Sequence, residues 1–282
     1  GADWYPKQER QSMEERKQSD KKMIFVDIDG TLVTEGTHII PESTKKAIRL
    51  ARENGHLTFI NTGRTHFNID NKVRNLGFDG YVCGCGTYIY YHDKLLFSST
   101  IPHAECLRLI QLMRDCELTG FFEENSHIFL DELSPYSGKE ITDARAMFGA
   151  RGIDCLPFDL DESFTFDKLL VFFHTRSNKK AFLEGIKENY TFIDRGRQTA
   201  EIIQKSCSKA TGIQFFMDYL GIPLENCYAI GDSTNDLSML QFVPNSIAMG
   251  NSMKEILPYC AYQTTDILDD GIYRALEHFG IV

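Results

Sequence analysis

The sequence has few of the features that mark fibrous, disulfide-rich or membrane proteins. Only 8 of its 282 residues are Pro and 21 are Gly, which excludes collagen-like and low-complexity chains. Its apolar runs are strand-sized, well short of the ~20 residues that a membrane helix needs, and its N-terminal residues form no apolar signal segment. We therefore expect a folded, soluble, cytoplasmic protein with no membrane partner.

Positive charge is also scarce. The 30 Lys and Arg residues stand against 40 Asp and Glu, a formal net charge of −10 that removes the basic field used in non-specific nucleic-acid binding. We expect no nucleic-acid partner. The 8 cysteines form no Cys-x-x-Cys pair, and no second Cys/His pair at zinc-like spacing stands near Cys83 and Cys85. We interpret them as reduced thiols.

The chain does have the length of an α/β protein and its alternation of predicted strands and helices. Its 282 residues predict roughly two domains, or one large domain with an insertion. Strands are predicted at residues 23–26, 56–61 and 81–83, and helices between them at 42–54 and 67–76. This alternation is typical of a doubly wound parallel sheet.

The alternation of single strands and helices stops after Gly86. Two predicted hairpins, over 87–98 and 121–130, accompany a helix over 102–116, and a strand at 201–203 is predicted to begin the return of the parallel pattern. The predicted fold is α/β, a Rossmann-like doubly wound parallel-sheet core with an inserted α+β cap domain. Its predicted parts are a polar N-terminal arm (1–22), the core (23–99 and 191–282) and the cap (100–190).

Two carboxylates, Asp27 and Asp29, directly follow the first predicted strand, at the sheet edge where open α/β folds bind ligands. A calcium loop would need Gly at its sixth position after a helix, whereas here Gly30 is fourth and follows a strand. A carboxylate on a rigid strand end can attack phosphorus, and a second can transfer protons to and from the reacting oxygens. We predict that Asp27 is the nucleophile and Asp29 the general acid/base.

More acids follow a second apolar run, in the segment from Gly231 to Asp236. Taken alone, this segment fits a helix cap as well as a metal ligand. Together with Asp27 and Asp29, its aspartates predict a cluster of oxygen ligands without His or Cys, which suits Mg²⁺ before Zn²⁺.

Groups suited to phosphate lie elsewhere in the chain. Thr62 and Gly63 end the second strand, where a hydroxyl and the next N–H can bind a phosphoryl oxygen or simply cap the strand. Lys209 opens a predicted helix and would add a positive charge, with Lys205 as the rival cation. Arg64 is the predicted extra contact for an anionic group.

These motifs, in this order, resemble the four motifs of the haloacid dehalogenase superfamily of phosphatases. The stretch from Ile247 to Ser252, followed by Asp270-Gly271-Ile272, is similar to the C-terminal signature of its Cof-type branch, which inserts a large α/β cap between the second and third motifs. Two departures are Asn61, where the branch usually has Ala, and Cys83-Gly84-Cys85-Gly86, where Asn-Gly-Ala is frequent.

The resemblance implies a role for each motif residue. Asp27 is expected to be nucleophile and Mg²⁺ ligand, Asp29 to be acid/base and to bind the metal through its backbone carbonyl, and Asp232 to complete the protein ligands. Asp236 is expected to orient Asp232 and Lys209. The predicted phosphate- or substrate-binding residues are Thr62, Gly63, Arg64, Lys209 and Asn235.

The predicted function is a Mg²⁺-dependent phosphatase that hydrolyses a small phosphorylated metabolite through an aspartyl phosphate. By the resemblance, sugar phosphates come first and nucleotide or cofactor phosphates second, and we expect a monomer or weak homodimer. Two alternatives stay open. A phosphomutase would use the same phosphoaspartate but usually carries a small helical cap, and a catalytically silent metabolite sensor would not need both Asp27 and Asp29.

Overall fold

The structure, a computed structural model of the protein, describes residues 20–134 and 138–282. The first 19 residues of the predicted N-terminal arm therefore lie outside the described residues. The chain divides into two compact units, one of residues 20–60 and 213–282 and the other Asn61–Gly212. The second unit is thus inserted into the first.

Strands and helices are numbered in chain order within the described ranges. The strands are β1 Met23–Val26, β2 Leu57–Asn61, β3 Gly80–Cys83, β4 Tyr88–Tyr91, β5 Lys94–Ser98, β6 Thr119–Glu123, β7 Ile128–Leu130, β8 Cys155–Leu156, β9 Lys168–Phe172, β10 Tyr190–Gly196, β11 Thr199–Gln204, β12 Cys227–Gly231, β13 Asn245–Ala248 and β14 Tyr262–Gln263. The helices are α1 Glu42–Glu53, α2 Asn71–Arg74, α3 His103–Asp115, α4 Lys139–Ala150, α5 Lys179–Ile186, α6 Lys209–Leu220, α7 Leu237–Phe242 and α8 Gly271–His278.

The first unit is built on a parallel sheet in the order β14-β13-β12-β1-β2. β1 lies between β12 and β2 and is fully buried along its length, which confirms the predicted strand that is covered on both faces. The buried residues of α1 are Thr44, Ala47, Ile48 and Ala51, which lie at helical spacing on one face. The sheet confirms the predicted doubly wound α/β core.

Aromatic packing consolidates this sheet. Phe25 of β1 stacks on Phe59 of β2 with ring centroids 4.7 Å apart, and Phe216 of α6 lies 4.5 Å from Phe59. All three side chains are completely buried. Burying a Phe side chain stabilises a fold by roughly 1.5–3 kcal/mol, so this cluster holds β1, and the residues that follow it, in a rigid frame.

The second unit contains the antiparallel strands β3, β4 and β5, which confirm the hairpin predicted over 87–98. It also contains a six-stranded sheet in the order β10-β11-β9-β6-β7-β8. The hairpin predicted over 121–130 is present as β6 and β7, and α3 and α5 supply apolar side chains to the core of this sheet. The unit has the α+β character expected of the insertion.

Two predictions about local structure are wrong. The helix predicted over 67–76 is split into a 3₁₀ turn, His66–Asn68, and α2, because Asp70 between them is extended. Here Arg74 donates to the carbonyls of Ile69 and His66, and Arg64 to that of Asn68, so side chains take the acceptors that a continuous helix would use.

The strand predicted at 201–203 is present as β11, but it does not belong to the parallel sheet of the first unit. It pairs antiparallel with β10 and β9 in the six-stranded sheet. Apolar runs of this length do not reveal which sheet they join, since that depends on distant partners. The domain boundaries stay a prediction, and the place of β10 and β11 favours a return to the core after residue 204.

Of the helices in residues 20–134 and 138–282, none has the length and apolar character needed to cross a membrane.

Candidate active site

The first unit brings three aspartates together at the carboxyl ends of neighbouring strands. β1 and β12 are paired in register, and the Asp27 N–H continues the ladder by donating to the Ile230 carbonyl at 3.2 Å. One carboxylate oxygen from each of Asp27, Asp232 and Asp236 lies within 4.8 Å of the other two, and all three residues are buried. We call these three residues the aspartate cluster.

The turn after β1 is shaped to approach this cluster closely. Gly30 has a φ of +79°, and a Cβ there would lie 2.1 Å from Asp232 Oδ2, so only glycine fits. Thr31 then donates its hydroxyl to Asp232 Oδ1 at 3.0 Å, and Asn251 Nδ2 donates to the Gly30 carbonyl at 2.8 Å. The turn therefore fixes one oxygen of Asp232.

Asp236 is held by the backbone of its own loop. Its Oδ2 accepts N–H groups from Asp232 at 2.9 Å and Ser233 at 3.1 Å, which forms a capping arrangement at the start of the 3₁₀ turn Thr234–Asp236. The two interpretations of this segment, cap and ligand, are thus compatible, because Asp236 caps the turn while its carboxylate lies beside Asp232. Asn235, a predicted substrate-binding residue, is buried in the same turn and its amide oxygen accepts from Ser233 Oγ.

The electrostatics of the cluster favour a bound cation. Burial, followed by the charges of Asp236 and Asp27, raises the pKa of Asp232 far above its ordinary value, and the Thr31 hydrogen bond opposes this only in part. Buried, crowded aspartate oxygens of this kind are the ligands that Mg²⁺ prefers. Asp29 is half-buried, with its backbone bridged to Val33, and it lies outside the three-carboxylate group. Its backbone-ligand role stays a prediction.

The predicted phosphate-binding residues Thr62, Gly63, Arg64 and Lys209 belong to the second unit. The carbonyls of the first three are each held by a donor. Cys85 N–H donates to Thr62 O at 3.0 Å, Lys168 Nζ to Gly63 O at 2.9 Å, and Gly84 N–H to Arg64 O at 2.8 Å. The segment Cys83–Gly86 thus supplies two of the backbone donors that shape this loop.

Lys209 lies beside the same loop and is almost completely buried, as the first residue of α6. Asn61 Nδ2 donates to its carbonyl at 2.9 Å, so the residue that replaces the usual Ala fixes the backbone of Lys209. Its rival Lys205 is exposed, which favours Lys209 as the phosphate contact. Arg64 is buried, 3.7 Å from Asp70, which favours a structural role over its predicted contact with a ligand.

A second group of buried charges lies in the six-stranded sheet. Lys168 on β9 is 3.1 Å from Glu123 Oε2 on β6 and 2.9 Å from Glu201 Oε1 on β11, and all three side chains are buried. Burial opposes the charged form of Glu201, but Lys168, then Arg195, hold its pKa at about 2. We call Glu123, Lys168 and Glu201 the lysine-centred cluster.

Sequence reasoning missed several residues that shape these two sites. Thr31 and Asn251 stand inside motifs already identified, so their polar side chains were a usable signal. Lys168 and Glu201 gave none, because they look like ordinary strand residues and are paired only by the sheet. The cysteines, in contrast, are free thiols as predicted, and burial raises the pKa of Cys85 to about 12.

Comparison with known proteins agrees with this geometry. The protein YkrA of Bacillus subtilis is 27% identical over 274 residues, covering 93% of this chain and 99% of its own. The 5-amino-6-(5-phospho-D-ribitylamino)uracil phosphatase YwtE of the same organism is 29% identical over 276 residues, covering 89% and 95%. A solved structure of a sugar phosphatase of subclass IIB of the haloacid dehalogenase superfamily is 28% identical, with a TM-score of 0.79 over 93% of this chain and all of that one.

The family model of the haloacid dehalogenase-like hydrolases matches residues 24–276. This range contains both strand ends of the aspartate cluster, the Thr62 loop, Lys209 and the inserted α+β unit, so the match covers the whole arrangement described above. The fold agrees as well, since that solved structure aligns with a TM-score of 0.79 over 93% of this chain. The chain therefore belongs to the haloacid dehalogenase-like hydrolases and is a hydrolase of the phosphomonoesterase type.

Proposed function

We propose that the protein is a Mg²⁺-dependent phosphatase that hydrolyses a small phosphorylated metabolite, foremost a sugar phosphate, through an aspartyl phosphate. The observation that carries this proposal is the aspartate cluster at the ends of β1 and β12, where three buried carboxylates lie within 4.8 Å. Such crowding is unfavourable unless a cation is held there.

The residues present fit this metal. The carboxylates of Asp27 and Asp232 and the backbone carbonyl of Asp29 would hold Mg²⁺, while Asp236, held by two N–H groups, keeps Asp232 in place. When bound, the ion supplies the positive charge that lets a phosphate dianion approach carboxylates. Thr31 contributes by directing one oxygen of Asp232.

The chemical steps follow from the acids of the first turn. An Asp27 oxygen forms a bond to phosphorus while the bond to the leaving oxygen breaks, and Asp29 gives that oxygen a proton. Asp29 then takes a proton from a water molecule, whose oxygen attacks the phosphorus, and the bond to Asp27 breaks to release phosphate. The buried Lys209 and the Thr62 hydroxyl bind the phosphoryl oxygens.

Two observations support the substrate class and the compartment. The similar proteins include a sugar phosphatase and an enzyme named for a phosphoribityl compound, and both names describe a phosphate on a polyhydroxylated carbon chain. The eight free cysteines favour a reducing compartment, and we propose the cytoplasm. We further propose a monomer or weak homodimer that binds neither nucleic acid nor membranes.

A metabolite screen with a trapped intermediate tests the proposal. Purified protein with Mg²⁺ is assayed for phosphate release from sugar, nucleotide and cofactor phosphates, and Asp29→Asn is mixed with p-nitrophenyl phosphate and analysed by intact mass. We expect sugar phosphates to react fastest. We also expect a phosphoryl adduct on Asp29→Asn, because p-nitrophenolate leaves without a proton whereas dephosphorylation needs the base. An adduct on Asp27→Asn, or none on either variant, would contradict the assignment of nucleophile and base.

A further inference from the structure

The peptide group between Gly63 and Arg64 is held from both sides. Its carbonyl oxygen accepts a hydrogen bond from Lys168 Nζ at 2.9 Å, and its N–H donates to Thr62 Oγ1 at 3.0 Å. Because a trans peptide is planar, its C=O and N–H point in opposite directions, and fixing one fixes the other. The position of the Thr62 hydroxyl is therefore tied to Lys168 through one rigid plane.

Lys168 has little freedom to move. An ammonium group has three N–H donors, and three oxygens lie around Nζ, those of Gly63 at 2.9 Å, Glu201 at 2.9 Å and Glu123 at 3.1 Å. Burial would lower the pKa of Lys168, but Glu123 and Glu201 raise it above its ordinary value, so the side chain stays charged. Lys168 thus donates hydrogen bonds to Gly63 and Glu201 and is held beside Glu123 as an ion pair.

The sheet register explains how a strand residue reaches this point. Lys168 and Glu123 are direct cross-strand partners, and Glu201 lies opposite Leu170, two residues along β9 and on the same face as Lys168. Three strands therefore point charged side chains at one loop. Lys209 is among the cations that lower the pKa of Glu201, so the second predicted phosphate contact lies near the same cluster.

Resting on the proposed function, we propose that Lys168 is a positioning residue for phosphate binding: it fixes the Gly63–Arg64 peptide so that Thr62 Oγ1 is held in place. Since this oxygen accepts from the Arg64 N–H, the hydroxyl proton is left to donate to a phosphoryl oxygen. Lys168 itself need not touch the substrate.

The test must separate this role from a general contribution to folding. Lys168→Met combined with Glu201→Gln removes one buried cation together with one buried anion, so the net charge of the lysine-centred cluster is unchanged while the Gly63 carbonyl loses its donor. Glu123→Gln is the matched control, because it removes a buried charge but leaves Lys168 bonded to Gly63.

Two readouts are measured, the affinity for inorganic phosphate in the presence of Mg²⁺ by calorimetry and hydrogen exchange of the Arg64 amide. We expect the double variant to bind phosphate about 10- to 100-fold more weakly, the scale of loss for a misplaced contact, and to lower kcat/KM on p-nitrophenyl phosphate similarly. Exchange of the Arg64 amide should speed up. Glu123→Gln should change these quantities little.

A second variant covers the case in which the double variant does not fold. Gly63→Ala keeps every charge, but its Cβ would lie 2.9 Å from Glu201 Oε1, so either the loop or the Glu201 carboxylate that accepts from Lys168 must shift. We expect a loss of phosphate affinity of the same order.

Unchanged phosphate affinity and Arg64 exchange in the folded double variant, or in Gly63→Ala if the double variant does not fold, would overturn the role of Lys168 even if the melting temperature fell. If the unmodified protein neither bound phosphate nor hydrolysed phosphate esters, the proposed function would be wrong. The exchange of Arg64 would then still decide whether Lys168 holds the loop.

Discussion

Each unit of the molecule buries a cluster of acids, and the two clusters balance their charge in opposite ways. In the aspartate cluster, burial and the neighbouring aspartates raise the pKa of Asp232. In the lysine-centred cluster, Lys168 overcomes the effect of burial and lowers the pKa of Glu201 to about 2. Asp232 thus resists ionisation, whereas Glu201 has a counter-ion in its own sheet, although burial still raises the pKa of Glu123 despite Lys168.

This difference separates buried charges that stabilise the fold from buried charges that can take part in a reaction. An acid paired with a lysine in the same sheet, as Glu201 is with Lys168, has its counter-ion within the fold. Acids crowded at the ends of parallel strands are held in an unfavourable state by the rigid frame around them, which is typical of a site that takes up a cation. The contrast also predicts that the two clusters respond differently to substitution.

The largest effect is expected from Asp27→Asn. It removes the nucleophile, so no aspartyl phosphate can form and turnover on every phosphate ester should fall to background. Phosphate release and intact mass after mixing with p-nitrophenyl phosphate measure this. The exposed Asp218→Asn on α6, whose carboxylate contacts Gln214, is the control and should keep full turnover. Substantial activity in Asp27→Asn would show that Asp27 is not the nucleophile and that the aspartate cluster does not carry out the reaction.

Removing divalent metal should reduce turnover nearly as much as Asp27→Asn does. It should act through the aspartate cluster and not through the lysine-centred cluster. We expect chelation with EDTA to abolish turnover and added Mg²⁺ to restore it, because a cation must offset the buried carboxylates when phosphate binds. Mg²⁺ should also raise the melting temperature of the unmodified protein, but much less that of Asp232→Asn. Full activity in excess EDTA would refute the metal assignment.

Lys209→Ala should have the next largest effect. It removes the buried cation beside the Thr62 loop, and losing one stabilising contact to the transferring phosphoryl group typically costs about 10²- to 10³-fold in kcat. Lys205→Ala is the matched control, since Lys205 is exposed and only four residues away. Steady-state kinetics on p-nitrophenyl phosphate measure both, and the reverse ranking would show that Lys205 is the phosphate contact.

The same contrast explains how far the sequence could predict the site. Asp27 and Asp232 stand at the ends of short apolar strands, and parallel pairing carries such positions to one edge of the sheet, so local pattern and topology were enough to bring these two together. Lys168 contacts Gly63 across 105 residues and Glu201 across 33. These contacts depend on the register of antiparallel strands, which no local pattern reveals.

The fold shows a similar division. β1 is a continuous apolar run that is buried throughout, and α1 has its buried residues at helical spacing, so the positions of both followed from the sequence. The helix predicted over 67–76 failed because Arg64 and Arg74 donate to backbone carbonyls there. β11 was found but assigned to the wrong sheet, since its apolar pattern suits either one.

Replacing one acid in each cluster should change the free energy of unfolding by a smaller amount, and the two changes should have opposite signs. Without metal, Asp232→Asn should stabilise the fold by about 1–2 kcal/mol at neutral pH, because it removes a buried carboxylate repelled by its neighbours. Glu201→Gln should destabilise it by about 1–3 kcal/mol, because Lys168 loses one of its two counter-ions. Urea unfolding of EDTA-treated proteins measures both, and shifts of the same sign would contradict the comparison.

The Glu201 effect also has a defined pH dependence. The folded-state pKa of Glu201, about 2, lies below its ordinary value of 4.5, so its contribution is complete above about pH 5 and is lost as the pH falls toward 2. The gap in unfolding free energy between the unmodified protein and Glu201→Gln should therefore shrink between about pH 5 and pH 2. A constant gap would mean that the two proteins differ for reasons unrelated to this charge.

The smallest effect is expected from Thr31→Val, which tests how finely the aspartate cluster is arranged. The substitution keeps the shape of the side chain but removes the hydroxyl that donates to Asp232 Oδ1 at 3.0 Å. Groups that orient a metal ligand typically contribute 10- to 100-fold in affinity, and we expect about 10-fold weaker Mg²⁺ binding by calorimetry. Thr31→Ser, which keeps the donor, should restore most of it. If Val bound Mg²⁺ as tightly as Thr and Ser did not, the packing of the Thr31 methyl group, and not its hydrogen bond, would be what positions Asp232.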